Sequence, residues 1–133
     1  MTMPAKLNSA APVFQVADVG ETMRWYEAHL SFKPHPFPRT PPHQFCVLVR
    51  DPVEIMLQRI EDAAPLDVYR RRGAGVWHVY LRMAGVNELY EAVRDNAAIE
   101  IVETPNKQPY GDTEFVVRDP NGYLLVFSEG PDG

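Results

Sequence analysis

The chain contains an internal repeat. Residues 47–52 read Val-Leu-Val-Arg-Asp-Pro and residues 115–120 read Phe-Val-Val-Arg-Asp-Pro, an offset of 68 in a chain of 133 residues. A second pair of segments is also similar: Ala-Asp-Val-Gly-Glu at 17–21 and Ala-Gly-Val-Asn-Glu at 84–88. Because a small unit that occurs twice cannot bury its apolar face alone, the two copies are expected to pack together. The sequence therefore predicts a tandem duplication within one domain, 1–133.

Composition narrows the class of protein. The chain has no apolar run of 18 residues, so no membrane-spanning helix is expected, and its first residues do not resemble a secretory signal. A single cysteine, Cys46, predicts no intrachain disulfide, a cytoplasmic location and a buried thiol. The net charge of −5 argues against a nucleic-acid partner, which would require a basic surface.

Each copy has the pattern of a β-α-β-β-β unit, so the expected fold class is α+β. The first unit is placed at 11–60, a polar connector at 61–75 and the second unit at 76–129. Two such units are predicted to form the two halves of one hydrophobic domain.

Local signals set the expected elements. Asp18 is predicted to cap a helix, with Glu21 completing a capping box three residues later. The prolines within 34–42 predict an extended loop, and a strand of the first unit between residues 31 and 42 is left open. Apolar runs and turn residues predict strands at 11–16, 45–49, 53–58, 76–82, 99–103, 113–118 and 123–128.

Strand alternation sorts the side chains into a concave face and a helix-covered face. The predicted concave set is Val13, Gln15, Glu54, Met56, Gln58, His78, Tyr80, Arg82, Leu124, Val126 and Ser128. The predicted helix-facing set is Ile55, Leu57, Trp77, Val79, Leu81, Leu125 and Phe127. A concave surface that mixes apolar and polar groups is what a small-ligand pocket requires.

Three stretches carry a family resemblance: Val-Ala-Asp-Val at 16–19, Trp-Tyr-Glu at 25–27, and the run from Tyr-Gly-Asp-Thr-Glu-Phe to Arg-Asp-Pro-Asn-Gly-Tyr at 110–123. In these the chain resembles the vicinal oxygen chelate superfamily, which includes glyoxalase I, extradiol dioxygenases and bleomycin-resistance proteins. The resemblance covers about 11–129. It implies two half-barrels that enclose a cavity, and it is specific for the fold rather than for a reaction.

The resemblance also implies where a metal would be held. The enzymes of this superfamily take ligands from the first and last strands of each module, and the matching positions here are Ala11, Met56, His78 and Val126. Alanine and valine cannot bind a metal, and a thioether is a poor ligand for hard divalent ions. The chain is therefore expected to lack a metal site and a cofactor, as metal-free members of the bleomycin-resistance type do.

Several candidate residues keep more than one interpretation. His78 could be a general base, a remnant metal ligand, a hydrogen-bond donor to a ligand or a structural histidine. Arg82 could clamp an anionic group or form a salt bridge with Glu54. Tyr80 and Tyr110 could stack on a planar ligand. The predicted ligand-binding set is Glu54, Met56, Gln58, His78, Tyr80, Arg82 and Tyr110, with no catalytic residue assigned.

The resemblance favours a homodimeric small-molecule-binding protein, possibly one that sequesters an antibiotic. A metal-dependent lyase, isomerase or dioxygenase that uses His78 with other ligands is the main alternative. A metal-free enzyme with His78 as acid or base and Arg82 as anion clamp is a third.

Overall fold

The computed structural model describes residues 3–132, which form two four-stranded sheets and three helices. The strands and helices, in chain order, are β1 (Val13–Val16), α1 (Val19–Leu30), β2 (Lys33–Phe37), β3 (Phe45–Arg50), β4 (Val53–Arg59), α2 (Val68–Arg72), β5 (Val79–Arg82), α3 (Val86–Val93), β6 (Glu100–Lys107), β7 (Thr113–Arg118) and β8 (Leu124–Glu129). The α+β class and the two tandem modules are confirmed.

The two sheets have the same topology. The strand order is β1-β4-β3-β2 in the first sheet and β5-β8-β7-β6 in the second, and the first strand of each pairs in parallel with the last. Val13 lies opposite Met56, and Tyr80 lies opposite Val126. These two pairs occupy matching places in the two modules.

The first helix begins as its sequence predicts. Asp18 has an extended backbone, and its Oδ1 accepts the Glu21 amide hydrogen at 2.9 Å, which satisfies one free donor of the first turn. At the other end, Ser31 adopts a left-handed conformation and closes the helix.

One apolar core joins the two modules. The predicted helix-facing residues of β4 and β8 are all buried in it, and Leu81 of β5 joins them. Cys46 has no exposed surface, as predicted. Phe14 of the first module stacks on Tyr123 of the second, with ring centroids 4.1 Å apart. Because both modules contribute to the same core, neither sheet is a separate folding unit.

Several predicted boundaries were wrong. The proline-rich stretch contains the strand Lys33–Phe37, which lies at a sheet edge, where a residue that lacks an amide hydrogen is tolerated. The connector contains the short helix α2. The strand predicted at 76–82 begins only at Val79, although the His78 amide already donates to the Leu124 carbonyl. The strand predicted at 99–103 extends to Lys107.

No helix of residues 3–132 is long and apolar enough to cross a membrane.

Candidate functional site

The concave face of the second sheet has an apolar floor and a polar end. Val116, Leu124 and Val126 form a small buried cluster on this face, separate from the main core. One pair further along β7 and β8, Glu114 lies opposite Ser128. Their side chains are 3% and 1% exposed. Alternation in two paired strands thus places a carboxylate and a hydroxyl beside an apolar surface.

Tyr80 of β5 brings these groups into one network. Its hydroxyl lies 2.8 Å from Ser128 Oγ and 3.2 Å from Asp112 Oδ2, and it also contacts Glu114 Oε2. Ser128 donates to Asp112 Oδ2 at 3.0 Å, and Tyr110 donates to Glu114 Oε2 at 2.5 Å. The carboxylates of Asp112 and Glu114 are therefore bridged by shared hydroxyl groups.

The network has fewer hydroxyl hydrogens to donate than it has close contacts between oxygen atoms. Three hydroxyl groups, those of Tyr80, Tyr110 and Ser128, take part in six close contacts with one another and with two carboxylates. A hydroxyl has one hydrogen to donate, and an ionised carboxylate only accepts. The network therefore retains acceptor capacity that a further N–H or O–H group could use.

The surroundings raise the pKa of both tyrosines. Burial and the hydrogen bond to Glu114 raise the pKa of Tyr80. The hydrogen bond to Glu114, followed by burial, raises the pKa of Tyr110. Both hydroxyls therefore keep their hydrogens at neutral pH and act as donors to the carboxylates.

Arg82 lies at the open edge of this network. Its Nη1 is 3.6 Å from Asp112 Oδ2, and its guanidinium carbon is 5.3 Å from the centre of the Tyr80 ring. The side chain is 76% exposed, so the ion pair contributes little to stability. Of the two interpretations of Arg82, the salt bridge is present, with Asp112 as its partner and not a glutamate.

A pocket of about 320 Å³ opens beside the network. Trp77 and Tyr110 supply aromatic surface, and Glu103 and Glu114 supply carboxylates. Oε2 of Glu103 is shielded from water and has no hydrogen-bond partner among residues 3–132. A buried oxygen without a donor is costly, so a donor from a bound molecule would stabilise it.

The predicted site residues fall into separate groups. Tyr80, Arg82 and Tyr110 belong to the network, and Glu54 shares an open cleft of about 600 Å³ with Tyr80 and Arg82. Met56 is on the concave face of the other sheet. Gln58 lies on the same strand, and its amide donates at 3.2 Å to the carbonyl of Arg59. Neither Met56 nor Gln58 has a hydrogen bond to the network in the described part of the chain.

His78 is held by the backbone. Its Nδ1 accepts the Leu124 amide hydrogen at 2.9 Å, so Nδ1 carries no hydrogen and the neutral ring has its hydrogen on Nε2. The ring packs edge-on against Tyr123, with centroids 5.0 Å apart. Burial lowers the pKa of His78, which favours the neutral form. This geometry supports the structural interpretation of His78.

Acidification is expected to weaken the fold through His78. The unfolded imidazole titrates near pH ~6.5 and the folded pKa is lower, so the unfolded state binds the proton first as pH falls. The stabilisation is complete above pH ~6.5 and is lost as pH falls through the folded pKa. His78→Asn keeps an acceptor for Leu124 and cannot titrate. Urea unfolding at about pH 7.5 and 5 should show a larger loss in the wild type than in the variant, and equal losses would contradict this role.

The four positions that would hold a metal in related enzymes do not form a ligand set. Ala11 and Val126 offer no donor, Met56 offers a thioether, and His78 uses Nδ1 for a backbone amide. Within residues 3–132, no three His, Cys, Asp or Glu side chains converge as metal ligands. These donors do not fit a divalent ion.

Sequence reasoning missed four residues of the site, one of which is Glu103. Asp112 and Glu114 stand within the stretch that carried the family resemblance, and alternation from Val116 would have placed Glu114 on the concave face. Trp77 was predicted to face a helix, which is wrong. It lies 5.5 Å from the Tyr80 ring because the regular strand begins two residues later, at Val79.

The chain belongs to the Glyoxalase/Bleomycin resistance protein/Dioxygenase superfamily, whose family model matches residues 6–127. A search of curated proteins finds no match.

Solved structures agree with this fold. The chain is similar to a glyoxalase-related enzyme from Clostridium phytofermentans, with 17% identity, a TM-score of 0.76 and coverage of 97% of this chain and 99% of that one. It is also similar to the bleomycin-binding protein of bleomycin-producing Streptomyces verticillus, solved with copper(II)-bleomycin, with 21% identity, a TM-score of 0.67 and coverage of 95% and 98%. A bleomycin resistance determinant encoded on the transposon Tn5 has 21% identity, a TM-score of 0.69 and coverage of 93% and 98%. At these identities the likeness shows the fold alone.

Proposed function

We propose that this protein binds a small molecule on the concave face of its second sheet, without a metal and without chemistry, and acts in the cytoplasm. The observation that carries the proposal is the network around Tyr80, which has unused acceptor capacity beside an apolar floor. A ligand with apolar surface and one or more N–H groups would match both parts.

We further propose that the ligand is an antibiotic, which the protein sequesters. Two structural neighbours are described as bleomycin-binding or bleomycin-resistance proteins. The buried carboxylates of Asp112 and Glu114, together with Glu103, favour a ligand with amine groups. This charge arrangement gives no comparable support to an anionic substrate.

A second copy of the chain would complete the proposed site. The concave face of the first sheet leaves Val13 53% exposed, and Phe37 at the edge strand is 70% exposed. These exposed apolar side chains support an interaction surface on this face. We therefore propose a homodimer in which this face closes over the concave face of the second sheet in the partner.

Ligand binding should depend on the network. We expect Glu114→Gln and Tyr80→Phe to weaken binding about tenfold each, because each removes a buried group that a ligand hydrogen bond would use. Isothermal titration calorimetry with copper(II)-bleomycin, followed by a thermal-shift screen of other amine-bearing antibiotics, would measure this.

Tyr90→Phe is the matched control. Tyr90 is partly buried on the helix side and has no side-chain hydrogen bond to another described residue. Loss of affinity in this control equal to that in Tyr80→Phe would contradict the site. An absence of binding across the whole screen would contradict antibiotic sequestration.

A further inference from the structure

A second cavity lies away from the concave face, at the N-terminal end of α1. It has a volume of about 380 Å³ and none of its lining residues belongs to the network around Tyr80. Arg24 and Arg59 supply positive charge, His43 supplies an imidazole, and Pro41 and Pro42 form an apolar wall.

Two of these groups converge above the first turn of the helix. A methyl group on Gly20 would lie 3.1 Å from Nη1 of Arg24 and 3.4 Å from Cδ2 of His43. The same point is 3.5 Å from Oδ1 of Asp18, the N-cap. The helix N-terminus adds partial positive charge there from its free amide groups. The absence of a side chain at Gly20 lets Arg24 and His43 pack close to the helix backbone at this point.

The protein neutralises the positive charges of the cavity only in part. Within residues 3–132, neither Arg24 nor Arg59 has a carboxylate oxygen within the 4.0 Å of a salt bridge, whereas six other close ion pairs involve Arg50, Arg71, Arg82, Arg94 and Arg118. Asp18 is the one carboxylate that lines the cavity, and its Oδ1 is already the acceptor for the Glu21 amide. One positive charge is therefore left uncompensated.

His43 provides an independent observation. Its side chain belongs to a residue that is only 8% exposed, and its Nδ1 lies 2.7 Å from the Pro38 carbonyl. A carbonyl only accepts, so Nδ1 carries the hydrogen and Nε2 is left without a partner in the described residues. Cδ2, which is bonded to Nε2, faces the point above Gly20. The imidazole of His43 therefore lines the cavity, and its Nε2 is not paired with any described residue.

We propose that this cavity binds the phosphate group of a small phosphorylated molecule. A phosphate carries about −1.5 to −2 charges at neutral pH and has three strong acceptor oxygens. Those oxygens match two guanidinium groups and the first-turn amides of Val19 and Gly20. The Nε2 of His43 accepts from a P–OH group when neutral and donates to an oxygen when protonated. A carboxylate, with one charge and two oxygens, would use only part of this set.

The test is a titration of the whole protein with inorganic phosphate at constant ionic strength, followed by amide NMR. We expect saturable shifts at Val19 and Gly20. Arg24→Gln combined with Arg59→Gln should weaken binding at least about tenfold, since it removes both charge-assisted contacts. The control, Arg71→Gln combined with Arg94→Gln, changes the net charge equally at two exposed ion pairs and should leave binding unchanged.

Three outcomes would overturn the proposal. Shifts that rise linearly without saturation would mean no site. An equal loss in both double variants would mean that only net charge matters. Acetate binding as tightly as phosphate would exclude recognition of a phosphate group.

Discussion

Replacing Gly122 with alanine is expected to lower the free energy of unfolding by about 3 kcal/mol or more. Gly122 has a φ of +89°, which side-chain-bearing residues rarely adopt. A Cβ there would lie 2.1 Å from the carbonyl oxygen of Leu66 and 2.6 Å from its nitrogen. These are backbone atoms, so the connector itself would have to move. Urea unfolding monitored by circular dichroism measures the loss.

Gly73→Ala separates the effect of backbone strain from the effect of the close contact with Leu66. Gly73 has a φ of +78°, yet a Cβ at that position would meet nothing within 4 Å. Its substitution should lower the free energy of unfolding by about 1–3 kcal/mol, from backbone strain alone, and by less than the Gly122 substitution. Equal losses in the two variants would mean that the contact between Gly122 and the connector has no energetic weight.

The close approach explains what the Asp-Pro-Asn-Gly turn does. The Leu66 amide donates to the Asn121 carbonyl at 2.8 Å, and Nη2 of Arg118 donates to the Leu66 carbonyl at 2.6 Å. These two hydrogen bonds hold the connector against the end of the second sheet. The first module has only Asp51-Pro52 at the matching turn, where no connector crosses. This part of the resemblance motif is structural.

The repeated string shows how far sequence reasoning reaches. It predicted the duplication correctly, but it aligned Leu48 with Val116. In the structure Leu48 is in the main core and Val116 is on the concave face, and the core residue that matches Leu48 is Val117. The longer turn of the second module shifts β7 by one residue relative to β8. A shift of one residue exchanges the two faces of a strand.

The candidate site was predictable only in part, for a related reason. Tyr80 follows from alternation in its own strand, because that strand is regular from Val79 onward. Placing Glu114 required the register of β7 against β8, and the alignment of the repeated string gave that register wrongly by one residue. Trp77 lies before the regular strand, where alternation carries no information. Alternation along one strand predicts which of its side chains share a face. The contacts between different strands depend also on the lengths of the turns that join them.

A buried hydrogen bond across the two modules is the second large determinant of stability. The Tyr26 hydroxyl on α1 donates to Oδ2 of Asp119 at 2.6 Å, and these residues are 0% and 1% exposed. Oδ1 of Asp119 accepts the amide hydrogens of Asn121 and Tyr123 at 2.8 and 2.9 Å. One carboxylate therefore organises the turn and joins it to the first helix.

Removing the Asp119 carboxylate should lower the free energy of unfolding by about 3–5 kcal/mol. Asp119→Ala leaves the Tyr26 hydroxyl and two turn amides without their acceptor in a buried site. Tyr26→Phe should lower the free energy of unfolding by less, about 2 kcal/mol, because the turn amides keep the Asp119 carboxylate as their acceptor. Denaturant unfolding of both variants measures the two losses. If Tyr26→Phe were as stable as the wild type, the bond would not hold the modules together.

The same carboxylate should leave a pH signature. Burial raises the pKa of Asp119, outweighing the hydrogen bonds from Tyr26 and the turn amides, which lower it. A raised folded pKa contributes stability that is complete below the unfolded value of ~3.9 and is lost as pH rises through the folded pKa. Asp119→Asn has no such dependence, so its deficit relative to the wild type should be larger at about pH 4.5 than at pH 7.5.

The repeat supplies the control for this measurement. Asp51→Asn makes the same chemical change in the other Arg-Asp-Pro string, at a side chain that is 79% exposed. It serves as the control for the removal of an exposed charge. A deficit of Asp119→Asn that is constant with pH would mean that Asp119 titrates normally. Since the two strings are identical from Val to Pro, a difference between the variants comes from burial and from the hydrogen bonds that Asp119 makes to Tyr26 and the turn amides.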